Sequence, residues 1–213
     1  YSMDGDIARL PEFLPIVRKY VARLMIDEAH ATGVLGAHGR GTPEHFGLEG
    51  QIDIVAGTLS KALGGVGGFV ASTREVVHYL RFYARSYMFS TALPPAVTAS
   101  LIAAVDVIQE DHALRERLWR HIRFFTENLR RLGFDLGRAE TAIVPIIVGD
   151  QERLKAISRE VHEAGLFINP VYYPAVPKKQ DRLRISLMAT LEQSDLDYAL
   201  EVLERVGKKY GLI

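Results

Sequence analysis

The stretch Gly57-Thr58-Leu59-Ser60-Lys61-Ala62-Leu63-Gly64-Gly65 follows a short apolar run, Ile52-Asp53-Ile54-Val55-Ala56. An earlier apolar run, Val21-Ala22-Arg23-Leu24-Met25-Ile26, ends at Asp27. Both runs favour β-strands, and helical patterns alternate with them along the first half of the chain. This alternation is typical of a doubly wound parallel α/β sheet, in which ligands bind beyond the carboxyl ends of the strands. The sequence therefore predicts that Asp27 and Lys61 lie at one edge of such a sheet.

The residue types at this predicted edge indicate a particular chemistry. A lysine amine can form a Schiff base with an aldehyde, and a carboxylate can hold a ring nitrogen protonated. Thr58 and Ser60 can donate hydrogen bonds to a phosphate, and the glycines that follow Lys61 allow the backbone to approach it closely. The amine and the carboxylate together suit a pyridine cofactor that carries an aldehyde.

Four motifs in this chain occur in an order and spacing that resemble a known family. They are Asp27-Glu28-Ala29-His30, Thr58-x-Ser60-Lys61 with Gly64-Gly65, Phe89-Ser90-Thr91-x-x-Pro94-Pro95, and Arg182-x-Arg184. Together they resemble the α-oxoamine synthases, which are fold-type I pyridoxal-phosphate enzymes, and the resemblance runs nearly from end to end. The family includes glycine C-acetyltransferase, 8-amino-7-oxononanoate synthase, 5-aminolevulinate synthase and serine palmitoyltransferase.

The resemblance implies a role for each candidate residue. Lys61 would form the Schiff base with pyridoxal 5'-phosphate, Asp27 would pair with the ring nitrogen, and His30 would reach the phenolic oxygen of the ring. These three are the expected catalytic residues. The other residues expected to contact the cofactor each carry a hydroxyl group: Ser2, Thr58, Ser60, Ser90 and Thr91. Arg184 would orient the substrate carboxylate. Arg182 lies on the same face of the predicted strand and is the alternative candidate for this role.

Simpler structural roles stay open for several of these residues. Asp27 could cap a turn or a helix, Glu28 is interpreted as structural, and Ser90 and Thr91 could cap the helix predicted from Pro94 onwards. The run Asp27-Glu28-Ala29-His30 also matches the signature of a helicase class. That class needs a Gly-x-x-x-x-Gly-Lys-Ser/Thr loop, which this chain lacks.

The family assignment implies condensation of an amino acid with an acyl-CoA. The segment Tyr173-Pro174-Ala175-Val176-Pro177-Lys178 is closest to glycine C-acetyltransferase, so glycine with a short acyl-CoA is the expected pair. The segment Gly165-Leu166-Phe167-Ile168-Asn169 looks more like serine palmitoyltransferase. Alternatives are a decarboxylating condensation like that of serine palmitoyltransferase or 8-amino-7-oxononanoate synthase, a fold-type I aminotransferase, and an inactive fragment. The family also implies a homodimer in which Ser90 and Thr91 reach the partner's cofactor phosphate.

Composition narrows the classes of protein and partner. The 213 residues carry 26 basic and 26 acidic side chains, so no charge excess favours nucleic acid or an anionic membrane. The absence of cysteine fits a cytoplasmic location, and no histidine spacing suggests a metal site. The chain begins within a family motif at Tyr1 and resembles the C-terminal part of a longer protein.

The chain changes character near residues 109–112, which predicts two domains. Residues 1–110 would form part of the large cofactor-binding domain with its mostly parallel sheet. Residues 111–213 would form a small C-terminal α+β domain. Its expected elements are helices over 113–132, 151–164 and 194–210, and strands over 142–148, 166–168 and 183–187, with Pro145 indicating an edge strand or a bulge. In the first part, residues 94–110 are expected to form a buried helix.

Overall fold

The computed structural model describes all 213 residues, Tyr1–Ile213. It contains eight helices and six strands. The helices are α1 Leu10–Lys19, α2 Thr42–His45, α3 Arg74–Tyr83, α4 Arg85–Met88, α5 Pro95–Glu110, α6 His112–Leu132, α7 Gln151–Glu163 and α8 Gln193–Lys209. The strands are β1 Met25–Asp27, β2 Ile54–Thr58, β3 Gly68–Ser72, β4 Ile143–Ile147, β5 Asn169–Val171 and β6 Arg182–Ser186. No helix is both long enough and apolar enough to span a membrane.

The chain divides into two compact units. The lysine unit is Ala8–Arg115, and the arginine unit combines Tyr1–Ile7 with Glu116–Ile213. Each unit contains one three-stranded sheet. The domain boundary expected between residues 110 and 111 stays a prediction.

The sheet of the lysine unit has the order β1-β2-β3. β1 and β2 are parallel, as predicted, and Asp27 is the register partner of Ala56. β3 instead runs antiparallel to β2, with Gly68 opposite Thr58. A parallel connection needs a crossover of roughly a dozen residues or more, usually with a helix, and the loop from Leu59 to Gly67 is too short for one. The first predicted strand is shorter than expected, because regular pairing begins only at Met25.

The helix predicted from Pro94 to Glu110 is present as α5, but the prediction that it is buried is wrong. Leu101 is its one buried residue. Ile102 is 60% exposed, and Val105 and Val107 are also exposed. The apolar pattern thus identified the helix, while most of its apolar residues stay exposed within these 213 residues.

The sheet of the arginine unit has the order β4-β6-β5, and both pairs are antiparallel. β4 is an edge strand, which confirms the expectation from Pro145. The predicted strand over 166–168 lies just before the observed β5. The core is dense, and its side chains from α6, α7, α8 and the strands are almost fully buried: Phe125, Leu129, Val144, Ile146, Leu154, Ile157, Val202 and Leu203.

Local signals explain where the helices of the arginine unit begin and end. The Asp150 carboxylate accepts a hydrogen bond from the Arg153 amide at the start of α7. Glu192 and Asp195 form a capping box at the start of α8. Gly133 and Gly165, both at positive φ, follow α6 and α7 and let the chain leave each helix.

Candidate active site

Asp27 lies at the carboxyl end of β1, on the edge of the sheet that the sequence predicted. The Glu28 amide donates to the Ala56 carbonyl at 2.7 Å, which continues the β1–β2 pairing by one residue. The Asp27 carboxylate is exposed and accepts a hydrogen bond from the Ala29 amide at 2.8 Å through Oδ1. This bond fixes the side chain at the strand end, where it can meet a ligand.

His30 is carried by the tight turn that follows Asp27. The amides of Ala31 and Thr32 both donate to the Glu28 carbonyl, at 3.0 and 2.9 Å, and so close the turn around His30. The His30 side chain is half-buried. The turn therefore holds the His30 imidazole in the loop that directly follows Asp27.

Glu28 has a structural role, as the sequence analysis interpreted it. Its side chain is 3% exposed, and its Oε2 accepts from the Thr42 amide at 2.6 Å. Burial raises the pKa of the Glu28 carboxyl above its ordinary value, and the hydrogen bonds from Thr42 offset part of that rise. A Cβ atom at Gly41, whose φ is +100°, would lie 1.9 Å from Oε2. Glu28 thus anchors the loop after β1 and leaves Asp27 to face solvent.

Lys61 lies in the loop between β2 and β3, which we call the lysine loop (Leu59–Gly67). The Thr58 hydroxyl is 2.7 Å from the Ser60 hydroxyl, accepts from the Ser60 amide and donates to the Gly67 carbonyl at 3.2 Å. The Leu59 amide also donates to the Gly67 carbonyl, at 3.0 Å. These bonds close the base of the loop, and the Lys61 side chain at its tip is exposed.

The lysine loop is packed against the segment that leads into α5. A Cβ atom at Gly65 would lie 2.6 Å from Leu101 of α5, and one at Gly67, whose φ is +109°, would lie 3.0 Å from Leu93. Only glycine fits these contacts without displacing a neighbour. The same contacts bring the segment that carries Ser90 and Thr91 close to the loop that carries Lys61.

Ser90 and Thr91 are exposed and do not cap α5. The residue before α5 is Pro94, with no side-chain cap, so the capping interpretation of these hydroxyls is wrong. The Ser90 hydroxyl instead donates to the Ser86 carbonyl at 2.5 Å, at the end of α4. Phe89 beside it is 82% exposed.

Arg184 and Ser2 are in direct contact within the arginine unit. The Arg184 Nε donates to the Ser2 carbonyl at 2.6 Å, and its Nη1 donates to the Ser186 hydroxyl at 3.0 Å. Burial lowers the pKa of the Arg184 guanidinium below its ordinary value. These two bonds use two of the five guanidinium N–H groups.

The structure distinguishes the two arginines that were candidates for binding the substrate carboxylate. Arg182 is buried and ion-paired with Asp4, so its guanidinium is occupied by protein groups, whereas Arg184 is only half-buried. Sequence reasoning missed Ser186 as a contact of Arg184. The signal was present, because residues two apart on a strand share a face.

The predicted residues are distributed over both units. The lysine unit contains those of the β1 and β2 ends and of the segment before α5: Asp27, His30, Thr58, Ser60, Lys61, Ser90 and Thr91. The arginine unit brings together Ser2 and Arg184. The lysine unit thus offers the Lys61 amine, the Asp27 carboxylate and the hydroxyls of Thr58 and Ser60. These groups can react with an aldehyde, pair with a ring nitrogen and bind a phosphate, as a phosphorylated pyridine aldehyde requires. The residues present therefore fit pyridoxal 5'-phosphate.

The chain belongs to the class I and II aminotransferases, because that family's model matches residues 1–203. Among curated proteins it is 47% identical over all 213 residues to an 8-amino-7-oxononanoate synthase of Thermoanaerobacter pseudethanolicus. It is 42% identical over the same length to 8-amino-7-oxononanoate synthase 1 of Bacillus subtilis. In both comparisons the chain spans 54% of the relative, so it corresponds to about half the length of these proteins.

Solved structures give the same grouping. A structure of S. paucimobilis serine palmitoyltransferase with a bound PLP–myriocin aldimine matches the whole chain with a TM-score of 0.96 and 37% identity, over 54% of its own length. An 8-amino-7-oxononanoate synthase from Francisella tularensis matches with a TM-score of 0.85 and 28% identity, over 62% of its length. These relatives confirm the α-oxoamine synthase resemblance, the fold-type I class and the cofactor. They carry names other than glycine C-acetyltransferase, so they favour the alternative subtypes over that one.

Proposed function

We propose that the protein is a pyridoxal-phosphate-dependent enzyme that condenses an amino acid with an acyl-CoA and releases carbon dioxide. The observation that carries the proposal is the placement of Asp27 and the lysine loop at the carboxyl ends of two hydrogen-bonded parallel strands. A carboxylate and a lysine so placed can engage opposite parts of one pyridine ring.

Lys61 would act first as the covalent anchor of the cofactor and then as the base. The bound cofactor supplies an electron sink for negative charge at the α-carbon of the amino acid. The exposed Lys61 amine at the tip of its loop is free to take the α-proton from that carbon. Asp27 would keep the ring nitrogen protonated, and its bond from the Ala29 amide holds it in place for that contact.

Thr58 and Ser60 would bind the cofactor phosphate. Because Thr58 donates to the Gly67 carbonyl, the Ser60 hydroxyl donates to Thr58, and it would turn its O–H to a bound phosphate. The two hydroxyls are held 2.7 Å apart by the loop itself, so a bound phosphate would meet preorganised groups. His30 would donate to the phenolic oxygen of the ring.

Arg184 would bind the carboxylate of the incoming amino acid. Its Nε faces the Ser2 carbonyl and one Nη1 hydrogen faces Ser186, which leaves N–H groups on both terminal nitrogens for a two-pronged contact. Because the guanidinium is partly desolvated, a carboxylate would be held more strongly there than at the open surface.

The printed name of the curated relatives suggests the substrates. In 8-amino-7-oxononanoate the ketone carbon and the amine carbon are neighbours, so the new bond joins them. The seven carbons on the ketone side, ending in a carboxylate, correspond to a pimeloyl thioester. The two remaining carbons, a methyl and the amine-bearing carbon, correspond to alanine without its carboxylate. We therefore propose alanine and pimeloyl-CoA as the leading pair.

In this condensation the α-carbon attacks the thioester carbonyl, a carbon–carbon bond forms, and the carbon–sulfur bond breaks to release CoA. The carboxylate of the amino acid then leaves as carbon dioxide, and the α-carbon takes up a proton. Lys61 would return that proton. Arg184 would hold the carboxylate until it leaves.

A second candidate is condensation of serine with a long-chain acyl-CoA. It is favoured by the serine palmitoyltransferase structures, which match the whole chain at 37% identity. The glycine and acetyl-CoA pair is supported only by the resemblance of the Tyr173–Lys178 segment. The higher identity of the curated 8-amino-7-oxononanoate synthases supports our ranking of alanine and pimeloyl-CoA ahead of this second candidate.

We also propose that two copies share each active site through Ser90 and Thr91. The support is a run of strongly exposed aromatic and apolar side chains next to these hydroxyls, in α3, α4 and Phe89: Tyr79, Phe82, Tyr83, Tyr87, Met88 and Phe89. Exposed apolar surface of this extent is typical of an interaction site.

The test uses protein expressed from its complete gene, purified with the cofactor. CoA release is measured for alanine, serine and glycine, each with pimeloyl-, palmitoyl- and acetyl-CoA, together with carbon dioxide release. Alanine with pimeloyl-CoA should give the highest kcat/KM, with one carbon dioxide per CoA. Preference for serine with palmitoyl-CoA would select the second candidate, and CoA release from glycine without carbon dioxide would contradict the decarboxylating reaction.

A further inference from the structure

Arg182 is a buried cation held by Met3, Asp4 and Gln180, the last of which precedes its own strand. Its side chain is 3% exposed, and its Nη1 lies 2.6 Å from Asp4 Oδ1. Nη1 also donates to the Met3 carbonyl at 3.0 Å, and Nε donates to the Gln180 carbonyl at 2.8 Å. A buried guanidinium without an anionic partner would be costly, so Asp4 is the group that makes its burial tolerable.

These contacts fix the main chain that orients the predicted carboxylate-binding residue. Arg182 holds Met3 and Asp4, and the adjacent Ser2 carbonyl accepts the Nε–H of Arg184 at 2.6 Å. Arg182 and Arg184 lie two residues apart on β6 and so point to the same face of the strand. One ion pair, between the buried Arg182 and the exposed Asp4, therefore helps to position the carbonyl that accepts from the other arginine.

A second anchor keeps the same segment against β4. The Glu140 amide donates to the Gly5 carbonyl at 3.0 Å, and the Ile7 amide donates to a Glu140 carboxylate oxygen at 3.0 Å. A Cβ atom at Gly5, whose φ is +71°, would lie 1.9 Å from the Ile143 carbonyl oxygen. These contacts hold the segment in the conformation in which Asp4 meets Arg182.

We propose that the Asp4–Arg182 pair is a positioning device that sets the preference for substrates with an α-carboxylate. It acts by fixing the Ser2 carbonyl, which turns the Arg184 guanidinium so that its two terminal nitrogens present a fork to the carboxylate. This inference rests on the carboxylate-binding role of Arg184 under the proposed function. Asp4 and Arg182 touch no substrate in this arrangement and act through Arg184.

A purely structural ion pair would behave differently. Its loss would lower stability and weaken the binding of every ligand to a similar degree. Loss of a positioning pair lowers affinity specifically for ligands that carry the carboxylate. Alanine and ethylamine make this comparison direct, because ethylamine is alanine without its carboxylate.

The experiment uses the cofactor-loaded protein expressed from its complete gene. Dissociation constants for alanine and ethylamine are read from the change in cofactor absorbance, for wild type, Asp4→Asn, Asp4→Glu and Arg182→Lys. Glu204→Gln is the matched control, because it removes an exposed ion pair with Lys208 (2.5 Å) in the same unit. Urea unfolding of each variant measures the structural contribution separately.

In Asp4→Asn and Arg182→Lys, the preference for alanine over ethylamine should fall roughly tenfold, with ethylamine affinity nearly unchanged. Asp4→Glu should show a smaller loss, and Glu204→Gln none. Equal weakening of both ligands, or an unchanged ratio, would overturn the proposal. If Asp4→Asn does not fold, an unchanged ratio in Asp4→Glu overturns it, because the longer side chain moves the carboxylate. A wild type without any preference for alanine refutes the proposed role of Arg184, and this inference with it.

Discussion

The carboxylates of Asp27 and Asp53 lie at opposite ends of the same parallel strand pair. Asp27 ends β1 at the edge that carries Lys61, whereas Asp53 precedes β2 and accepts from the Leu24 amide at 2.9 Å and from Arg23 at 3.0 Å. The Leu24 and Arg23 hydrogen bonds lower the pKa of the Asp53 carboxyl below its ordinary value. The Asp53 carboxylate is thus hydrogen-bonded by Leu24 and Arg23, whereas the Asp27 carboxylate is exposed to solvent.

This pair gives a matched test of the cofactor site. Asp27→Asn should keep the fold but lower the rate of α-proton exchange of alanine in deuterated water by about a hundredfold or more, because an amide cannot stabilise the charged ring nitrogen. Asp53→Asn should leave that rate unchanged. Exchange is followed by proton NMR. A wild-type exchange rate in Asp27→Asn would contradict the proposed role of Asp27 at the ring nitrogen.

Lys61 is expected to be the one lysine that becomes attached to the cofactor. After borohydride reduction and digestion, mass spectrometry should find the added mass on the peptide that contains residue 61. Lys61→Ala should abolish the attachment and reduce condensation roughly a hundredfold to ten-thousandfold. Its unfolding free energy should stay near wild type, because the side chain is exposed. Attachment at another lysine contradicts the assignment.

Glu28→Gln should stabilise the protein in a pH-dependent way. The folded pKa of Glu28 lies above the unfolded value near 4.5, so the folded state binds the extra proton and wild-type stability falls as the pH rises through that interval. Glutamine removes the buried charge and can still accept from the Thr42 amide. The variant should therefore gain unfolding free energy at pH 8 and match wild type at pH 4 in urea titrations. A gain that is equal at both pH values would exclude the buried charge as its cause.

Mixed dimers test the shared active site. Lys61→Ala is expected to inactivate its own site, and Thr91→Val to weaken cofactor binding roughly tenfold by removing a hydroxyl donor at constant size. If Thr91 acts across the dimer, each mixed dimer contains one site with both native residues. Mixing the two variants should then restore about a quarter of the wild-type rate after subunit exchange. No rise above the unmixed variants would show that Thr91 acts within its own chain.

Gly5→Ala should lower the unfolding free energy by roughly 2–4 kcal/mol, because a side chain is strained at positive φ and would overlap the Ile143 carbonyl. Gly137→Ala is the control, since it shares a positive φ but has open space around its Cβ position. Urea unfolding measures both. An equal loss in the two variants would show that backbone strain alone accounts for the effect.

The strand ends and their polar residues could be predicted from sequence because they depend on local signals. Apolar β-forming runs predicted β1 and β2, and their ends carry Asp27 and the lysine loop as expected. The direction of β3 depends on the path of the connecting loop, which composition does not reveal. The loop that connects β2 to β3 is short, and this is enough to explain why the two strands are antiparallel.

Burial and partner choice depend on residues distant in sequence and were predicted less well. The apolar face of α5 indicated burial, but periodicity identifies a face and not what covers it. Arg182 and Arg184 occupy equivalent alternate positions on β6, so spacing alone could not rank them. The choice depends on Asp4, which meets Arg182 across 178 residues of sequence.

That long separation has a consequence for biosynthesis. The ribosome makes Tyr1–Ile7 before the rest of these residues, yet their partners in β4 and β6 are among the later segments to emerge. The contacts of Tyr1–Ile7 with β4 and β6 therefore form only after Ala8–Arg115 has been synthesised and can already fold. A ribosome that stalls before β6 leaves a product whose lysine loop can form while the Ser2–Arg184 contact cannot.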